Sequence, residues 1–184
     1  GLINIRDEQW KSQPATAEEP WVDHLAVWVE DMEATASFYT SILGMKRYEK
    51  EIDTTINNEN EKLGGFKACF IDCGGVWLEL VQPIGEGALM DTLREKGDGY
   101  LGEMCVGVKD LDAYVENMKA KGIQMVNIDG SPVDSKNSVL QPHGEKMAYF
   151  PAEITCGMVV EVVQPGPNET RCLPPRSFPP TWSE

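Results

Sequence analysis

Positive charge is scarce in this chain. Its 184 residues hold 16 Lys and Arg against 30 Asp and Glu, for a formal net charge of −14. A phosphate-binding surface needs clustered Lys and Arg, so no nucleic-acid partner is expected. The acidity otherwise serves solubility. Long apolar runs are missing too. None approaches the ~20 residues of a membrane helix, so no membrane partner is expected either. No signal-peptide pattern opens the sequence given. The five cysteines, Cys69, Cys73, Cys105, Cys156 and Cys172, are odd in number and include no C-x-x-C pair, which speaks against a disulfide framework. Cys69, Cys105 and Cys156 sit in largely apolar runs and are expected to be buried free thiols. That pattern fits a reducing compartment and a cytoplasmic protein.

What is present is a repetition. Glu79-Leu80-Val81-Gln82-Pro83 returns as Glu161-Val162-Val163-Gln164-Pro165. Ahead of each lies a second matched pair. His24-Leu25-Ala26-Val27-Trp28-Val29-Glu30-Asp31 aligns without a gap on Glu103-Met104-Cys105-Val106-Gly107-Val108-Lys109-Asp110. One module has been used twice. Each copy puts a ligand-type side chain at the start of its first strand and a Glu inside its last.

The 41% hydrophobic content suits a globular chain. Residues 1–20 read as a polar arm, 21–97 as a first module, 98–165 as a second, and 166–184 as a Pro-rich extended tail. The first module reads as strand 22–29, a helix over 32–43 between the cap Asp31 and Gly44, and strands 45–52, 66–73 and 76–82. Gly74-Gly75 turns between the last two. A helix over 86–97 connects the copies. The second module reads as strand 102–108, a helix over 111–120 between Asp110 and Gly122, and strands 123–128, 146–150 and 157–164. The fold class is therefore α+β, with two tandem βαβββ modules forming a shared open barrel-like metal cleft. Polar loops at 53–65 and 129–145 are expected to gate it.

A Glu inside an apolar strand needs a reason. Burying a polar group without a partner costs of order 2–7 kcal/mol, and a bare carboxylate costs more. An edge strand with a solvent-facing side would be one reason, but not one that need recur at equivalent places in both copies. Such units can pair their sheets so that His24, Glu79, Glu103 and Glu161 converge. Three converging carboxylates would repel one another, and a divalent ion resolves the conflict. An oxygen-rich set suits Mn²⁺, Mg²⁺ or Co²⁺ best, with Fe²⁺, Ni²⁺ and Zn²⁺ also compatible.

The pattern Val22-Asp23-His24-Leu25-Ala26-Val27, Asp31, Phe38-Tyr39 and Leu43-Gly44-Met45 resembles the vicinal oxygen chelate superfamily, which includes glyoxalase I, extradiol dioxygenases and methylmalonyl-CoA epimerase. The resemblance runs from about 21 to 165. Gly122-Ile123, Ala148-Tyr149-Phe150-Pro151 and Gly157-Met158-Val159-Val160-Glu161 are most similar to the epimerase-like group. It implies an enzyme that stabilises an enolate or oxyanion of a small oxygen-chelating substrate during proton transfer, as an isomerase, epimerase or lyase. Alternatives are an Fe(II)-dependent ring-cleaving dioxygenase and a non-catalytic small-molecule-binding protein. A homodimer is expected.

Two departures stand out. The epimerase group carries a His where this chain has Glu103, and a base Glu where this chain has Lys67. Three carboxylates around a divalent ion leave one net negative charge, a weaker Lewis acid than a neutral-ligand site. Lys67, placed by that alignment in the cleft, would balance the charge or hold an acidic substrate group. His143 and Glu51, with Glu49 beside it, are the other candidates to carry a proton. Trp28 and Trp77 read as core.

Overall fold

Each copy of the repeat starts its helix in the same way. Asp31 adopts an extended backbone and its carboxylate accepts a hydrogen bond from the Ala34 N–H at 2.9 Å. Asp110 accepts one from the Ala113 N–H at 3.0 Å. Both act as N-caps. The computed structural model describes residues 20–48, 52–53, 63–74, 76–133, 139–140 and 145–166. The arm to residue 19, most of both polar loops and the tail from 167 lie outside the described residues.

Two compact units divide the chain, and they do not follow the sequence repeat. One holds His24–Cys105 with Ala152–Glu161; the other holds Val106–Pro151 with Val162 onward and the residues up to Asp23. The first unit is built on β1 (Trp21–Trp28), β2 (Lys46–Arg47), β3 (Ile52–Asp53), β4 (Gly65–Asp72), β5 (Trp77–Ile84) and β6 (Tyr100–Gly107). The strand order β2-β4-β5-β1-β6 ends at β2 with no closure, and β3 also pairs with β4. Strands β1 and β5 run parallel, with His24 opposite Trp77 and Ala26 opposite Glu79. Strands β4 and β5 run antiparallel, with Phe70 opposite Glu79 and Lys67 opposite Gln82.

Side chains alternate along a strand, so these registers sort the sheet into two faces. Helix α1 (Met32–Ser37) covers one of them, packing Met32 and Ala36 against Val29, Cys69, Ile71 and Leu80. The chain then continues as a wide π turn over Phe38–Ile42, where an even helix was expected. Thr40 Oγ1 donates to the Ala36 carbonyl at 3.0 Å, a side-chain bond that competes for a helix acceptor. Gly44 ends the segment at φ +72, in the left-handed region that glycine tolerates. On the other face, α2 (Ala88–Lys96) seats Leu93 against Ala26, Trp28, Ala68 and Val81. Trp28 is core, as the sequence indicates.

The repeated Gln now has a role. Glu79 and Gln82 are three residues apart on β5 and therefore point to opposite faces. Gln82 Oε1 accepts from the Met32 N–H at 3.1 Å, at the start of α1. The second unit repeats this around α3 (Leu111–Ala120): Gln164, at the end of β9 (Val159–Gln164), accepts from the Leu111 N–H at 2.9 Å. Each Gln satisfies a backbone donor that a helix start leaves unpaired. The core of this unit joins Leu111, Val115 and Met118 to Met125, Val133, Ala148 and Val162. Strands β7 (Val139–Leu140) and β8 (Lys146–Tyr149) pair antiparallel, and Lys146 forms an ion pair with Asp112 of α3. The mixed α+β class and the open sheet are as expected. Among the described residues, no helix is long and apolar enough to cross a membrane.

Two local expectations fail, over 123–128 and at Cys156. Residues 123–128 form no strand; Val126 only bridges Tyr149 and Pro132. A turn intervenes at once, with the Gly130 N–H donating to the Asn127 carbonyl at 2.9 Å. Of the strand expected over 45–52, Lys46–Arg47 lies opposite Asp72 and Ile71 and Ile52 opposite Ala68, while residues 49–51 lie outside the described residues. Cys156 is exposed, not buried, because it sits in a turn ahead of β9 at φ +57. Cys69 and Cys105 are buried free thiols.

Candidate metal centre

The four repeat-equivalent side chains all belong to the first unit. His24 stands on β1, Glu79 on β5, Glu103 on β6 and Glu161 on β9. They meet at the imidazole. His24 Nε2 lies 3.2 Å from a Glu79 carboxylate oxygen, 3.9 Å from one of Glu103 and 3.8 Å from one of Glu161. Ligand atoms of His24, Glu103 and Glu161 lie within 4.8 Å of one another. The ring is set by an edge-to-face contact with Phe70, centroids 5.6 Å apart. His24, Glu79 and Glu161 are buried, at 5%, 7% and 7% exposure.

This arrangement is unfavourable as it stands. Burial pushes the Glu103 carboxyl well above its ordinary 4.5; the charges of Glu161 and then Glu79 push the same way, His24 pulls against them, and a hydrogen bond to Glu161 adds to the rise. A carboxylate moved out of water beside two others prefers its proton. A divalent cation fits such a donor set. Three carboxylates and one imidazole nitrogen offer it hard ligands from four separate strands, and its charge reverses the repulsion.

Lys67 requires a correction. It lies opposite Gln82, which reaches the start of α1, so it shares the α1 face of the sheet and not the face of Glu79. The Glu33 carboxyl of α1 is held below its ordinary value chiefly by hydrogen bonding to Arg47, with a smaller pull from the charge of Lys67. The residues of β4 that share the face of Glu79 are Phe66, Ala68, Phe70 and Asp72. Glu49, Glu51 and His143 lie outside the described residues.

Sequence reasoning missed the aromatic surroundings. Trp77, expected to be core, is half-buried on the site face in register with His24. Its ring meets Tyr48 edge-on at 5.6 Å, and the Tyr48 N–H donates to the Phe70 carbonyl at 2.8 Å. The available signal was parity: Trp77 lies two residues before Glu79 in one strand, hence on the same face.

Comparison with known proteins gives the family and the fold. A family model described as Glyoxalase/Bleomycin resistance protein/Dioxygenase superfamily matches residues 23–140. The mitochondrial methylmalonyl-CoA epimerase of Homo sapiens is 24% identical over 144 residues, spanning 78% of this chain and 73% of the relative. The ethylmalonyl-CoA/methylmalonyl-CoA epimerase of Cereibacter sphaeroides is 26% identical over 144 residues, spanning 78% of this chain and 96% of the relative. Among solved structures, methylmalonyl-CoA epimerase from Mycobacterium tuberculosis superposes with a TM-score of 0.65 at 19% identity, covering 86% of this chain and 96% of that one. At that identity the likeness is one of fold.

Proposed function

We propose that this chain, which belongs to the Glyoxalase/Bleomycin resistance protein/Dioxygenase superfamily, is a divalent-metal-dependent isomerase, epimerase or lyase that moves a proton beside a carbonyl of a small oxygen-chelating substrate. One observation carries the reading: an imidazole and three carboxylates from four strands converge within 3.2–3.9 Å of His24 Nε2 in a buried position. His24, Glu79, Glu103 and Glu161 would hold the ion. A bound divalent cation supplies charge stabilisation to an enolate or oxyanion developing on the substrate.

The chain's own residues supply the rest. Phe70 orients the His24 ring, and α2 fills the other end of the same sheet face, which excludes water from that side. Glu51 is the proposed proton carrier, with Glu49 and His143 as the groups to test beside it. The segment of Glu51 joins Tyr48 to Ile52, and these flanks run along β4 beside Phe70 and Ala68, residues of the site face. The ligand set differs from the two-His, one-carboxylate arrangement of iron oxygenases, which weighs against ring cleavage. The similar curated proteins are epimerases, so a malonyl-type CoA ester is the first substrate to try.

The test is direct. Protein purified without chelator should carry a divalent ion by plasma mass spectrometry. In D₂O it should place deuterium on the carbon between the carbonyls of methylmalonyl-CoA, seen by proton NMR, and chelation should stop it. An ion-loaded protein that exchanges no proton beside the carbonyl of this ester or of a panel of 2-oxo and 3-oxo acids would overturn the reading. Lys67→Met should leave the exchange within about twofold, because Lys67 faces α1. A loss of about tenfold, equivalent to roughly 1.4 kcal/mol, would return Lys67 to the site.

A further inference from the structure

The face that carries the metal ligands is divided lengthwise. At one end Leu89, Met90 and Leu93 of α2 pack onto Phe66, Ala68 and Val81. That end is filled by the chain itself. At the other end stand Tyr48, Phe70 and Trp77, beside the four ligands. Trp77 is the in-register neighbour of His24 across β1 and β5, and Phe70 is the in-register neighbour of Glu79 across β4 and β5. Phe70 is buried at 2% exposure and supports the imidazole edge-on. Tyr48 and Trp77 are half-buried and contact each other edge-to-face. A substrate chelated at the centre therefore lies beside the rings of Tyr48 and Trp77; among the described cations of these strands Lys67 and Arg47 face α1, and Lys46, opposite Asp72 on the site face, is exposed.

We propose that Tyr48 and Trp77 form a substrate subsite beside the metal centre that takes a planar apolar group, so that the preferred substrate is an oxygen chelator bearing an aromatic or conjugated substituent. This rests on the metal-dependent reading above and narrows its substrate class. Ring faces and edges attract another ring through their opposed partial charges, in addition to the apolar area removed from water. A methyl group in the same place covers less of either ring. The subsite thus discriminates by the substituent, while the metal centre holds the shared oxygen pair.

A matched pair of 2-oxo acids separates the two contributions. Benzoylformate and pyruvate present the same vicinal oxygens and differ in phenyl against methyl. With Mn²⁺-loaded protein, calorimetric titration should give benzoylformate a dissociation constant about tenfold or more below that of pyruvate. Trp77→Ala should abolish the preference with Mn²⁺ content unchanged, and Trp77→Phe should restore it. Equal affinities in the parent protein, or a preference that survives Trp77→Ala, overturns the inference. Mn²⁺ content of the same samples separates the two failures. An ion-loaded protein without the preference overturns the subsite alone; a protein that takes up no ion overturns the metal reading and the subsite with it.

Discussion

Glu103→Gln should make the metal-free protein more stable and the metal-loaded protein less so. The folded-state pKa of Glu103 is raised, chiefly by burial and then by Glu161 and Glu79. For a raised carboxyl, the stability it contributes is fully present below the unfolded value and is lost as pH rises through the folded value. Above the ordinary carboxylate range the metal-free chain therefore bears a cost at Glu103, since the folded state holds there a proton that the unfolded chain releases, or crowds a third charge once that proton is lost. Gln keeps the shape of the protonated acid and cannot ionise. The gain should be about 1 kcal/mol or more, a rise in melting temperature of roughly 2–4 °C or more for a chain of this size. It should vanish as pH falls to the ordinary carboxylate range, where the parent is protonated as well. Loss of an anionic ligand should also weaken Mn²⁺ binding by about 10- to 100-fold or more, since even outer partners of metal ligands are worth that much. Thermal melts with chelator and with excess Mn²⁺ read both effects. If the variant is destabilised in both states, Glu103 is a structural hydrogen-bonding residue and the four-ligand assignment fails.

That crossing of signs depends on a feature the sequence displayed openly. Glu79 and Glu161 recur three residues before Gln82 and Gln164, and a strand's two-residue period sends each Glu to one face and each Gln to the other. The Gln side chains then reach the Met32 and Leu111 N–H groups. The two helices were legible for a related reason: Asp31 and Asp110 act locally, on donors three residues away. What was not legible depends on partners far along the chain. Lys67 could be assigned to the cleft only by assuming a register for β4, and its position opposite Gln82 reverses its face. A one-residue slip in that assumption moves a whole strand of side chains across the sheet. Trp77 suffered the opposite error. An aromatic residue between apolar neighbours reads as core, and only its in-register placement against His24 moves it to the site face. The division into units was equally hidden. The compact unit that holds all four ligands borrows Ala152–Glu161 from the second copy of the repeat, because compactness follows spatial contact and the repeat follows chain order.

Glu103→His is the substitution that measures what the negatively charged centre does. The resemblance to the epimerase-like group places a His at this position, so the variant restores a neutral ligand where this chain carries an anionic one. Both side chains can donate one lone pair to a cation, and an imidazole is the commonest protein ligand for transition metals. The variant should keep its divalent ion. It should also ease the crowding that raises the Glu103 carboxyl, since only Glu79 and Glu161 would remain charged beside His24. With one anionic ligand removed, more of the ion's field reaches the substrate oxygen, and charge developing there is better stabilised. Deuterium incorporation into methylmalonyl-CoA should accordingly rise by about tenfold, which corresponds to roughly 1.4 kcal/mol of barrier. Circular dichroism and metal content, measured on the same sample, must match the parent for the comparison to hold. A rate that falls while both are preserved would mean that Glu103 takes part in the native chemistry as a carboxylate, accepting or positioning a proton, and that its charge is used rather than tolerated.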